Sequence, residues 1–201
     1  RVKNVAKINS INYYKNFHSQ KIHKIKFLSI VNTNFLSYQS FIDAMKVIYP
    51  VFPLPNNKQF EICIDLIKSE SFALPAIEFC EYVHIHKINW LKCSWEHDLM
   101  PLEYDTTILP NYIFSTSFLR YYFPACLNLT IKYFFGDYHK YEVGNIDSFV
   151  EHTIDAVIEN YKDLNESERT LLGRILKIIE NNPFYDYKNE CIKLKDKIMN
   201  N

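Results

Sequence analysis

The sequence predicts an all-α protein of seven to nine helices packed around one central apolar helix. Three observations carry that prediction. The stretch from Ser115 to Gly136, STSFLRYYFPACLNLTIKYFFG, is apolar almost all the way round, the pattern of a helix that other helices must cover. Apolar residues recur at helical spacing in several flanking segments. Only three glycines occur in 201 residues, too few for Gly-rich phosphate loops or a turn-rich β-sandwich, both of which need backbone at positive φ. With 48% hydrophobic against 23% charged residues, the chain has the composition of a folded protein rather than a disordered one.

The chain reads as a basic N-terminal arm, residues 1–36, followed by a helical domain, residues 37–201. The arm is Lys- and Asn-rich with Tyr13, Tyr14 and Phe17 as apolar anchors. Ile22 to Val31 fits either a short strand or a helical turn. A helix follows from about Ser37 to Ile48, with Phe41, Ala44, Met45 and Ile48 on one stripe. Pro50, Pro53 and Pro55 end it and impose an extended linker. The next helix runs from about Asn57 to Ser69 with Phe60, Cys63, Ile64 and Ile67 inward. Pro75 suits the first turn of a third helix carrying Ile77, Phe79, Cys80 and Val83. Between His84 and Tyr104 the periodicity fades.

The central helix then spans Phe118 to Phe135, ends at Gly136, and should kink or break near Tyr121 because Pro124 cannot complete the hydrogen-bond ladder. Beyond a polar loop at Gly144–Asn145, Ile146, Phe149, Val150, Ile154, Val157, Ile158 and Tyr161 form an amphipathic face. Asn165 with Glu168 three residues later is a capping-box arrangement. It opens a helix carrying Leu171, Leu172, Ile175, Ile178 and Ile179. Pro183 starts a last helix that ends near Met199.

Net charge is zero but unevenly spread. Arg1 to Ile42 holds seven Lys/Arg and no Asp/Glu, whereas Gln59 to Pro110 holds nine Asp/Glu and three Lys. Such polarity suits either compensation within the molecule or docking of an oppositely charged partner. The five cysteines are odd in number, widely spaced and without a CxxC pair. That usage fits reduced thiols and a cytoplasmic location better than a disulfide framework. Arg120, Pro124, Asn128 and Lys132 inside the apolar segment argue against a membrane span.

No motif announces a reaction. P-loop, dinucleotide fingerprint, GxSxG and HExxH are all absent from the sequence, and no cofactor or metal is expected. The best metal candidates are His84, His86, Cys93 and His97, which ordinary boundary histidines explain better. Cys93 and His97 stand four apart, a spacing suited to a nucleophile pair but without any sign of thiol activation. The carboxylate pairs Glu78–Glu81, Glu96–Asp98 and Glu103–Asp105 read as a solvated acidic face. Arg120 is one of four arginines and sits in the most apolar segment, so it needs a carboxylate from a neighbouring helix. Tyr121, Tyr122 and Pro124 beside it share that structural assignment.

Phe118 to Leu127, FLRYYFPACL, and Leu164 to Leu176, LNESERTLLGRIL, resemble a family of small bacterial helical proteins of unassigned function. In that family an aromatic–Arg–Tyr–Tyr–Leu–Pro–Ala block precedes a polar-capped C-terminal helix, and Trp95–Glu96 extends the likeness. The resemblance covers roughly the second half of the chain. Leu119 stands where the pattern has an aromatic, and Phe123 where it has Leu. It implies a bacterial, soluble, helical protein and transfers no catalytic residue.

The functional expectation is a non-enzymatic protein-binding module, most concretely an immunity protein whose partner is a cognate toxin. Trp90, Trp95, Glu96, Asp98, Glu103 and Asp105 are the expected contact residues, since an aromatic anchor in an acidic rim suits a basic partner. The alternatives are a metal or Cys/His enzyme built on the His84–His97 segment and nucleic-acid binding through Lys3, Lys7, Lys15, Lys21, Lys24 and Lys26. Nucleic acid is the weaker expectation.

Overall fold

The computed structural model describes residues 37–70, 73–94, 98, 106–135, 146–180 and 188–199. The basic arm, the ambiguous Ile22–Val31 segment, the Gly144–Asn145 loop and Pro183 lie outside them. Among the described residues there are eight α-helices and no strand, so the protein is all-α. The chain divides into two compact units, Arg1–Ile48 and Tyr49–Asn201.

In the first unit the described part is helix α1, Tyr38–Ile48. Phe41, Ile42, Ala44 and Met45 are buried, so the apolar stripe runs where the spacing put it. On the polar side, Gln39 and Lys46 both reach the Asp43 carboxylate.

The second unit begins with the proline linker and α2, Asn57–Ile67. Asn56 and Gln59 close a reciprocal capping box: the Asn56 side chain accepts the Gln59 N–H at 3.0 Å, and the Gln59 side chain accepts the Asn56 N–H at 2.9 Å. Two orphan donors are thereby satisfied where the helix leaves the linker. Cys63 and Ile67 are buried; Phe60 and Ile64 are half-buried.

Helix α3, Leu74–Ile85, has Pro75 in its first turn and buries Ala76, Phe79, Cys80 and Val83. It stops at a left-handed residue, Lys87, with φ 53°. The Ile88 N–H returns to the Val83 carbonyl and the His86 N–H to that of Tyr82, a closure that usually takes glycine at the left-handed position.

A 3-10 segment, Thr106–Tyr112, packs against α3 and against a later helix, α6, Ile146–Glu159. Between them lies the apolar centre, and the break expected near Tyr121 from Pro124 is present. Ser115 to Gly136 forms two helices, α4, Ser117–Tyr121, and α5, Phe123–Phe134, with Tyr122 as the joint. Tyr122 has φ −90° and ψ −1°. Its N–H closes α4 tightly onto the Leu119 carbonyl, and its own carbonyl accepts the Ala125 N–H. Pro124 then sits in the first turn of α5, where a missing N–H leaves no intrahelical bond unmade.

Every α5 residue from Phe123 to Ile131 is buried, including Asn128. Phe135, expected to be central, is 37% exposed. Phe79, Phe118 and Tyr121 all place rings against Tyr122, at centroid distances of 5.2, 5.6 and 4.9 Å.

Helices α7, Glu166–Glu180, and α8, Lys188–Met199, pack together at the C-terminal end, α7 against α5 and α8 against α6. The expected capping box is present: Asn165 Oδ1 accepts the Glu168 N–H at 3.1 Å, and Glu168 Oε2 accepts the Asn165 N–H at 2.8 Å.

Lys87 bears the cost of a Cβ in the left-handed region. Lys87→Gly is expected to raise the unfolding free energy by roughly 0.5–1 kcal/mol, read as an unchanged urea slope with a higher midpoint.

Candidate functional site

Of the six expected contact residues, Trp90 and Asp98 are among the described residues, and both are buried. Trp90 has no exposed surface. Its indole N–H donates to the Pro50 carbonyl at 3.3 Å, so it holds the proline linker to the core and cannot meet a partner. Asp98 is also buried: Oδ2 accepts the Ser94 N–H at 2.7 Å, and its own N–H returns to the Ser94 carbonyl. A carboxylate committed to closing a turn is not an acidic rim. Trp95, Glu96, Glu103 and Asp105 lie outside the described residues.

Of the metal candidates, His84 is stacked flat on Phe60, with centroids 4.1 Å apart and planes 4° from parallel. His86 is exposed and tilted against Tyr82. Cys93 is buried, and His97 lies outside the described residues. Among the described residues no three His, Cys, Asp or Glu side chains come together to hold a metal ion. Burial, followed by the charges of Asp98 and Cys126, pushes the Cys93 thiol well above its usual range. That is the opposite of an activated nucleophile.

Arg120 has the role its setting demanded. In the last turn of α4 it meets Glu168, the third residue after the α7 cap, through a short Nη2–Oε1 ion pair. Glu168 therefore serves two partners, one oxygen on Arg120 and the other on the Asn165 backbone. The guanidinium lies between two rings, 4.6 Å from the Phe114 centroid and 4.5 Å from that of Phe123. Cation–π contact on both faces leaves only the rim of the guanidinium for hydrogen bonds.

Tyr49 completes this cluster, edge-on to Phe123 at 6.0 Å. Burial first, then the Glu168 charge, push its phenol well above the usual range, against the pull of Arg120. Tyr49 Oη and Arg120 Nη1 are buried without a hydrogen-bond partner. Sequence reasoning missed Tyr49, Phe114 and Phe123 as members of the cluster.

Tyr121 and Tyr122 act as ties. Tyr121 Oη donates to the Val51 carbonyl at 2.5 Å, and Tyr122 Oη to that of Ile88 at 2.9 Å. Together with Trp90 they fasten the proline linker and the end of α3 to the α4–α5 joint. The Arg120–Glu168 pair and the bonded Tyr121 and Tyr122 hydroxyls make this a lock between segments.

An apolar cavity of about 20 Å³ lies among α5, α6, α7 and α8, lined by Leu127, Thr130, Thr153, Val157, Leu172 and Leu194. Both threonine hydroxyls donate to carbonyls one turn back in their own helices. The space suits one water by volume but offers it no hydrogen-bond partners, so it is a packing defect rather than a cofactor site.

The exterior of the second unit is more informative. Ile62 and Leu66 are 47% and 57% exposed, one turn apart on the outer face of α2. Glu61 and Asp65 lie beside them, also exposed. Leu74 and Ile85, at the two ends of α3, are exposed as well. No described helix is long and apolar enough to cross a membrane.

Compared with protein-family models, curated proteins and solved structures, the chain matches none.

His84 offers a titration test. Burial against Phe60 and Phe118, with Lys87 second, lowers its pKa below 6.5, and Glu61 opposes them only in part. The folded state therefore binds this proton less readily than the unfolded chain does. Stability contributed by neutral His84 is present above pH 6.5 and falls as pH drops through that value toward the folded pKa. An NMR titration should place its midpoint below 6.5, and His84→Phe should flatten the stability loss as pH falls below about 6.5.

Proposed function

We propose that this chain is a non-enzymatic, cytosolic protein-binding module of the immunity type, one that neutralises a toxin by covering the toxin's site with a preformed helical surface. The observation that carries the reading is the outer face of α2. Two large apolar side chains, Ile62 and Leu66, stand exposed one turn apart, while Cys63 and Ile67, each the next residue along, anchor the same helix in the core. An exposed apolar pair on a rigid, capped helix is a surface that needs little ordering on binding. Glu61 beside it favours a basic partner, whereas Asp65 is paired with Lys68 on the same helix.

Ile62 and Leu66 replace the buried Trp90 as the apolar anchors of this reading. The resemblance read at Phe118–Leu127 to small bacterial helical proteins supports a bacterial setting for such a partner. Binding through an outer face also fits the described interior of the second unit, where Arg120 is paired with Glu168 and the apolar cavity is too small for a ligand.

The double variant Ile62→Asp, Leu66→Asp tests the reading, because both side chains are exposed and the fold should tolerate the change. A defined partner captured by the wild-type chain from its source cells should bind the variant at least about thirty-fold more weakly, the loss of a hot spot of roughly 2 kcal/mol. Co-expression of the wild type, but not the variant, should also relieve that partner's toxicity. Equal binding and equal protection by a variant with unchanged circular dichroism would refute the proposal.

A further inference from the structure

Cys63 on α2 and Cys80 on α3 bring their sulfurs to 3.7 Å in the buried seam between the two helices. They stand 17 residues apart in sequence, with no local pattern to announce the pairing. Cys63 is also the target of a second side-chain donor: the Thr116 hydroxyl lies 3.1 Å from its sulfur. Thr116 is held in place as the N-cap of α4, where its oxygen accepts the Leu119 N–H at 3.2 Å. Cys63 thus has side-chain partners from two other segments, Cys80 and Thr116.

We propose that Cys63 and Cys80 are a buried redox pair, which hydrogen peroxide closes to a disulfide linking α2 and α3. The assignment of roles follows from the hydrogen bonds. Donation from Cys80, then from Thr116 and the Leu119 backbone, lowers the Cys63 ionisation range despite burial, whereas the bond to Cys63 and burial raise that of Cys80. Cys63 is the nucleophile, since the thiolate rather than the thiol attacks.

The Cys63 sulfur attacks one peroxide oxygen, the O–O bond breaks, and the departing hydroxide leaves as water after taking up a proton. The sulfur has lost two electrons and is a sulfenic acid. The Cys80 sulfur then attacks the Cys63 sulfur. The S–O bond breaks, and the released hydroxide carries off the Cys80 proton as a second water. Two thiols and one peroxide give one disulfide and two waters.

Both sulfurs are fully buried, and peroxide, small and neutral, reaches them through local opening of α2 from α3. Cys93 and Cys126 have no such arrangement. Burial pushes the Cys126 thiol up to about 12 and that of Cys93 well above its usual range, so neither competes for the oxidant.

The experiment treats the reduced full-length chain with hydrogen peroxide, blocks free thiols with iodoacetamide after unfolding, and reads intact mass and peptides. The expected product carries carbamidomethyl on three of its five cysteines, two fewer than the unoxidised control, and yields one cross-linked pair joining the Cys63 and Cys80 peptides. Dithiothreitol should restore both thiols. Cys63→Ser should abolish the cross-link and leave Cys80 alkylated, and Cys80→Ser should leave a dimedone-reactive sulfenic acid at Cys63. The wild-type chain alone decides the matter should a variant fail to fold. Recovery of both residues as alkylated thiols, over-oxidation of Cys63 without a cross-link, or a cross-link from either one to another cysteine would overturn the proposal.

Discussion

Arg120 and Glu168 are 48 residues apart in sequence, and much of the second unit is arranged to let them meet. Glu168 is buried, whereas Arg120 keeps about a quarter of its side chain exposed. Removing a carboxylate from water is costly unless it is paired and its remaining lone pairs are used. Both conditions hold, since one oxygen takes the guanidinium and the other caps α7. The pair therefore couples two events, the closing of the α4–α5 joint and the start of α7. Phe114 and Phe123 hold the guanidinium plane from both sides, which fixes the direction in which its rim can point. Tyr49 brings the end of the linker into the same cluster.

From that lock the surrounding ties follow. Tyr121, Tyr122 and Trp90 each carry an apolar body into the core and a polar tip to a backbone carbonyl. Those carbonyls belong to Val51, Ile88 and Pro50, in segments that no helix or sheet ladder would satisfy. Aromatic residues with one hydrogen-bonding group are well suited to that duty. A protein with fifteen tyrosines and three glycines secures its irregular segments in this way, rather than by tight glycine turns.

Helices were legible because their signals are local: apolar spacing, proline stops and the Asn165–Glu168 box. That Arg120 needs a carboxylate was legible too, because a lone arginine in an apolar run has few alternatives. The sequence also showed Glu168 in a capping role. Nothing in its spacing showed that Glu168 was the partner Arg120 required, since that depends on how two distant helices pack. Trp90 misled for a related reason. Its acidic neighbours suggested exposure, but the carbonyl that satisfies its indole lies forty residues back. The Cys63–Cys80 seam and the exposed Ile62–Leu66 pair were hidden likewise, because both depend on which side of α2 faces α3.

The most direct test of the lock is a double-mutant cycle on Arg120→Met and Glu168→Gln, followed by urea unfolding. If the pair is the constraint described, Glu168→Gln and Arg120→Met each lower stability by about 3 kcal/mol, and the double variant loses clearly less than their sum. Strict additivity, or single losses of only a few tenths of a kcal/mol as for an ordinary surface pair, would contradict it.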